Sequence, residues 1–366
     1  MTAIVTTSHP WAGRPFRAGA STGSHLLQLR DPGDRLACNV SRAHNLAIPN
    51  TGAQSRLLER LPLAEGHQGP LVQVAPLPPD AFKRVDVEVV LWEVSANLGD
   101  RPACDRATAA IVRETADERL RRDLAYLGAT AYLDGRLHDY QRIIDERVDV
   151  MRSARHPDAF VWWYVSTLAL LRERGTVAEL PTLLEDWENT PRPAVPSTVV
   201  QAFTALTAVL TGDHESVALE NCDPEHFADD GGRSAVLAAT AEVAAAVGDD
   251  QLVRQMLRSV EGFDGMHLAS RAVYWGPYDR IVALLCDRLG DHHEADEAFE
   301  RGSQACRAFR TPVWVARAEL DWGESLYRRG MHDAAALHVQ AARVAIGDLP
   351  LNESRYRADQ LDARLA

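Results

Sequence analysis

Tyr278-Asp279-Arg280-Ile281-Val282-Ala283-Leu284-Leu285-Cys286-Asp287-Arg288-Leu289-Gly290-Asp291-His292-His293-Glu294-Ala295-Asp296-Glu297-Ala298-Phe299 is the stretch that decides the fold. Tyr278, Ile281, Val282, Leu285 and Leu289 recur at helical spacing and share one face. Gly290 then supplies a residue that enters the left-handed region without steric cost, which is how many helices end. Acidic residues crowd the turn that follows, where a helix dipole favours negative charge. The stretch therefore predicts helix, tight turn, helix.

The same grammar recurs along the chain. Glycines 99, 135, 175, 212, 248, 290 and 330 each end an apolar stretch, with gaps of 36, 40, 37, 36, 42 and 40 residues. A period of that size marks a repeated helical hairpin. One hairpin cannot bury its apolar face alone, whereas stacked hairpins bury a continuous core and leave a curved groove. The expected fold is all-α: a tetratricopeptide-like right-handed α-solenoid of about seven hairpins over residues 84–350. Residues 351–366 are expected to form a capping helix. The alanine-rich run Ala235–Val247 suits close helix contact.

Residues 1–83 differ. They hold nine of the 19 prolines and carry a net charge of +3, against −13 for the whole 366-residue chain. Hydrophobic periodicity is poor there. The reading is an irregular proline-rich extension, either a loose cap on the first repeat or a lid across an acidic groove.

Composition narrows the function. The net negative charge and the lack of any Lys/Arg-rich run argue against nucleic acid. No apolar run approaches membrane-span length, and no signal peptide is visible. Five cysteines without CxxC pairs point to reduced thiols in a cytoplasm. A single lysine, Lys83, stands against 38 arginines. Lysine-dependent Schiff-base chemistry within the repeats and Walker-type phosphate binding are thereby disfavoured. No cofactor is expected.

Residues 120–345 carry a pattern seen elsewhere. Trp275-Gly276-Pro277-Tyr278-Asp279-Arg280, Gly290-Asp291-His292-His293-Glu294-Ala295 and Thr311-Pro312-Val313-Trp314-Val315-Ala316-Arg317 resemble the tetratricopeptide-like helical region at the C-terminus of large bacterial LuxR-type and adenylate-cyclase-linked regulators. The resemblance implies binding of inducers or protein partners. The upstream ATPase module and the terminal helix-turn-helix of such regulators are missing from this sequence, which disfavours a DNA-binding factor.

Three segments are candidate ligand sites. Phe160-Val161-Trp162-Trp163-Tyr164 is the richest aromatic run. Its bulky residues cannot all face one side of a helix, so Trp162, Trp163 and Tyr164 divide between core packing and a stacking wall. In the second segment Arg271, Tyr274, Trp275 and Tyr278 fall at i, i+3, i+4 and i+7. That spacing predicts one helix face, broken at Pro277. Asp279 and Arg280 suggest inter-repeat ion pairing. The third segment holds Arg310, Trp314, Arg317, Asp321 and Trp322. Trp314, Arg317 and Asp321 share a face, and Arg317 and Asp321 could pair with each other. Asp291-His292-His293-Glu294 has metal-ligand residue types, but the repeat grammar explains them, and no metal is expected. Cys38 with His44, and the acidic loop 223–230, carry weak signals only.

Two functions fit. The first is a non-catalytic protein whose concave groove captures a small molecule, peptide or partner protein. The second is a specialised-metabolism enzyme of cyclase, hydrolase or lyase type, using Tyr274, Tyr278, Asp279 or Arg271 in a pocket closed by residues 1–83. Oligomeric state is left open.

Overall fold

The computed structural model describes residues 84–114, 124–153, 159–183, 197–217, 233–269 and 274–366. The expected extension 1–83, Arg271 and the loop 223–230 lie outside them. The described residues are mostly helical. In chain order the helices are α1 (Arg84–Asn97), α2 (Arg101–Glu114), α3 (Leu124–Leu133), α4 (Leu137–Ser153) and α5 (Ala159–Arg174), then α6 (Ser197–Thr211), α7 (Arg233–Val247) and α8 (Asp250–Val260). After a short β-hairpin, β1 (His267–Ala269) and β2 (Tyr274–Pro277), come α9 (Tyr278–Leu289), α10 (His292–Ala308), α11 (Pro312–Arg328), α12 (His332–Ile346) and α13 (Asn352–Leu365). No helix among the described residues is long and apolar enough to cross a membrane.

The glycine period is a backbone motif. At Gly290, φ is 79°. Its amide donates to the Asp287 carbonyl, and the amide of Asp291 reaches back to Cys286. This pair of bonds satisfies carbonyls that a helix end leaves open. The same pair closes the turns at residues 99, 135, 175, 212 and 330, each with a positive φ. Gly248 departs from the pattern. Its amide keeps the helical bond to Ala244, and Asp249 then caps α8 by accepting from the Leu252 amide at 2.8 Å.

Helices on either side of these turns pack on each other: α1 on α2, α3 on α4, α7 on α8, α9 on α10 and α11 on α12. Contacts also join distant parts of the chain. α11 packs on α3, α13 on α5, β1 on α1 and β2 on α3. The turns of the first three units are consequently covered. A Cβ on Gly99 would meet His267, one on Gly135 would meet Leu349, and one on Gly175 would meet Glu353. The turns at Gly212, Gly290 and Gly330 have no described atom within 4 Å of that position. A single hydrophobic cluster runs from Leu91 to Leu351, so the two halves of the chain share a core along a seam.

The second candidate segment is not helical where expected. Tyr274–Pro277 is a strand, paired antiparallel with β1 in the register His267 to Pro277 and Ala269 to Tyr274. Pro277 lacks an amide hydrogen and disfavours helix in the residue before it. Gly276 sits at φ 90°, and a Cβ there would lie 2.6 Å from Trp314. Asn97 extends the ribbon sideways: its side-chain amide donates to the Ala269 carbonyl and accepts from the Ala269 amide, both at 3.2 Å. The helical spacing of four residues across a proline misled because Tyr and Trp serve a strand equally well.

Candidate functional site

Each predicted segment contributes to one buried centre at the seam. Tyr274 and Trp275, adjacent on β2, both reach the Trp314 ring. Trp275 meets Phe203 edge-on at 5.6 Å and Trp314 at 6.3 Å. Tyr274 meets Trp314 edge-on at 5.8 Å and stacks on Phe309 at 5.2 Å. Phe203 in turn contacts Tyr164 at 6.4 Å, and Tyr164 stacks with Phe160 and Trp163. A continuous run of rings therefore links the aromatic segment of α5 to β2 and α11.

Charges thread through these rings. Glu242 of α7 accepts from Arg172 of α5 at 2.7 Å and from Arg280 of α9 at 2.8 Å. Arg280 also donates to Asp321 of α11 at 2.7 Å, and Asp321 takes a second guanidinium, Arg357 of α13, at 2.7 Å. Arg317 of α11 pairs with Glu173 of α5, whose same oxygen accepts from the Tyr132 hydroxyl at 3.1 Å. Arg172 lies 5.8 Å from the Trp275 ring, and Arg280 and Arg317 lie 5.2 and 5.3 Å from Trp314. Such cation–π contacts gain strength when water is excluded. All of these groups except Arg357 are buried.

Burial opposes every charge here, and the partners decide each outcome. Burial raises the Glu242 carboxyl, but the Arg172 and Arg280 guanidiniums outweigh it and hold the group well below the usual carboxylate range. Asp321 is held down in the same way by Arg280 and Arg357. Burial lowers Arg280 and Arg317, yet their carboxylates leave both raised. Arg172 alone of the network's arginines ends below its ordinary value, through burial and then repulsion from Arg317.

The network is not fully satisfied. Nε and Nη1 of Arg172, Nε of Arg317, and the indole nitrogens of Trp275 and Trp314 are buried without a hydrogen-bond partner among the described residues. On the acceptor side the same holds for Oε2 of Glu173 and the Thr240 hydroxyl. Buried polar groups are paired in the large majority of cases, so a cluster of unpartnered donors is a candidate recognition surface.

Other predicted residues are used elsewhere. Arg317 and Asp321 do not pair with each other. Tyr278 stacks on Phe263 at 4.8 Å. Asp279 and Arg280 both form inter-helix pairs, with different partners: Asp279 accepts from Arg301 at 2.8 Å and from the Gly265 amide at 2.9 Å. The Tyr274 hydroxyl bonds Nδ1 of His267, and burial raises its pKa well above the ordinary tyrosine value. Trp162 is buried beside Arg147, whereas Trp163 is half-buried. His293 is 91% exposed.

Sequence reasoning missed Tyr132, Arg172, Glu173, Phe203, Glu242 and Arg357. Glu242 carried a signal: it is the one charge inside the alanine-rich run Ala235–Val247, and buried charges are rare unless paired. Comparison with protein-family models, curated proteins and solved structures finds no match to this chain.

Proposed function

We propose that this chain is a non-catalytic binding protein, built as a tetratricopeptide-like right-handed array of about seven hairpins whose ends are drawn together. Its ligand is a small molecule held at the seam, with Trp275, Trp314, Arg172 and Arg317 as the recognition surface. The observation that carries this reading is the cluster of unpartnered buried donors among stacked rings. A site with apolar walls and a few convergent polar groups is how small molecules are commonly held.

Several features favour binding over catalysis. Tyr274 is too hard to ionise to serve as a base. Asp279 is occupied by Arg301 and a backbone amide. The described cysteines 104, 286 and 306 are free and buried. Burial raises the thiol pKa of all three, so they are poor nucleophiles. Free thiols also suit the cytoplasmic location proposed for the protein.

The test is native mass spectrometry of the full chain after incubation with a cellular metabolite extract, followed by denaturation and identification of what is released. A stoichiometric small molecule, lost in Trp314→Ala, supports the reading. Turnover of an extract component without a retained ligand would replace it with the enzyme alternative.

A further inference from the structure

The seam centre has a surplus of one kind of polar group. Five buried nitrogens lack acceptors among the described residues: two on Arg172, one on Arg317 and one on each of Trp275 and Trp314. Against them stand one carboxylate oxygen, on Glu173, and the hydroxyls of Thr176 and Thr240, which can donate as well as accept. Buried water normally fills such places. Each water, however, brings two hydrogens that need acceptors of their own, so it suits a donor-rich site less well than a pure acceptor does. An oxyanion only accepts.

The distribution of charge points the same way. Glu242 is shared between Arg172 and Arg280, and Asp321 between Arg280 and Arg357. Arg280 therefore draws on two carboxylates, while Arg172 has half of one. Arg172 is also the arginine whose pKa falls, as expected where a guanidinium lacks compensation. Its two free nitrogens, Nε and Nη1, lie on either side of Nη2, which Glu242 holds, so each can give a charge-assisted bond to an oxyanion. The Trp275 ring lies against this guanidinium at 5.8 Å, and Trp314 is next to Trp275.

We infer that the seam centre takes the oxyanion group of a small molecule, a carboxylate or a phosphate, with Arg172 as its principal anchor and the Trp275 and Trp314 indoles as flanking donors. The inference rests on the binding reading above and names the ligand's chemistry. Arg172 and Glu173 come from α5, and Glu242, Arg317 and both tryptophans from the second half of the chain. The ligand would thus bridge the two halves, and its binding would tighten the seam.

The experiment uses the full chain. Tryptophan emission and thermal melting are followed while inorganic phosphate or benzoate is added, with sodium chloride at matched ionic strength as control. Two variants are compared. Arg172→Met removes the anchor, and Trp275→Phe removes one donor while keeping the ring against Phe203. The expected result is a saturable emission change and a higher melting temperature with one of the two anions but not with chloride. Trp275→Phe should weaken it about tenfold, and Arg172→Met should abolish it. A response to phosphate alone identifies a phosphate ligand, and a response to benzoate alone a carboxylate. Should neither anion act differently from chloride, or should Trp275→Phe bind as tightly as the natural chain, the inference is wrong. If Arg172→Met does not fold, Trp275→Phe decides. A neutral or cationic molecule retained in the native mass spectrum would sink the oxyanion inference while leaving the binding function standing.

Discussion

Arg317 pairs with Glu173 across 144 positions of sequence, and both side chains are almost wholly buried. The pair joins α11 to α5 and so closes the seam between the two halves of the chain. Local helix propensity cannot create such a contact, because it forms only when the hairpins are already assembled. Breaking it by removing one charge strands the other in a low-dielectric interior, at a cost of about 3–5 kcal/mol. Arg317→Met should therefore lower stability by that order, and Glu173→Gln by somewhat less, since Tyr132 can still donate to the amide oxygen. The double variant Arg317→Met/Glu173→Gln should be more stable than Arg317→Met alone. Urea denaturation of the four proteins gives the coupling energy. Near-additive losses would mean that the pair contributes nothing specific.

Gly276 and Gly290 share a left-handed backbone but not a neighbourhood. A Cβ at Gly276 would press on Trp314 at 2.6 Å, whereas Gly290 faces open space. Gly290→Ala should cost about 1 kcal/mol from the backbone alone. Gly276→Ala adds the displacement of a packed indole and should cost about 3 kcal/mol. It should also alter tryptophan emission, which Gly290→Ala leaves unchanged. Equal losses in the two variants would show that Trp314 is not held against β2.

The difference between those glycines also shows what the sequence could convey. The hairpin turns were legible because a C-terminal glycine is a local signal, satisfied within six residues of backbone. The aromatic segments around Trp163, Trp275 and Trp314 were legible because large rings are scarce and clustered. Their convergence was not, since it passes through Phe203, an unremarked residue in an ordinary apolar helix. Arg172 and Glu173 resembled any polar residues in a last helical turn, and their partners lie 70 and 144 positions away. The β-hairpin was missed because Arg271, Tyr274, Trp275 and Tyr278 matched a helical period by chance. Pro277 already argued against that match.

Arg310 occupies the position that glycine holds in six other turns, with φ 55°. Its amide and that of Thr311 make the same two bonds to Arg307 and Cys306. Its carbonyl accepts from Arg101 at 3.3 Å, and its side chain reaches Asp105 at 2.7 Å. That ion pair is largely solvent-exposed and contributes no more than about 1 kcal/mol. Arg310→Ala keeps the backbone strain and loses the pair, so it should be mildly destabilising. Arg310→Gly loses the pair but relieves the strain. It should be more stable than Arg310→Ala by about 1 kcal/mol. Thermal melts of the two variants read this difference directly, and identical melting temperatures would refute a strained turn.

His267 sets a pH limit on the seam. It is buried against Tyr274 and Phe309, and its ring fills the space beside the Gly99 turn. Burial pushes its pKa down from 6.5 to about 4. Between those values the unfolded chain takes up a proton that the folded chain refuses, so stability must fall as the pH drops from about 6.5 towards 4. The loss across that window is about 3 kcal/mol. The carboxylates Glu242 and Asp321, held below their ordinary range by arginines, behave as depressed acids. Their contribution is intact above the unfolded carboxylate range and is lost only at lower pH. His267→Gln removes the titrating ring while leaving a group that can bond the Tyr274 hydroxyl. Urea melts at pH 7.5, 5.5 and 4.5 should show the natural chain losing stability progressively, and the variant losing about 3 kcal/mol less over the same interval. Parallel curves for the two proteins would show that His267 can be protonated in the folded state, and hence that water reaches the junction between β1 and the first hairpin.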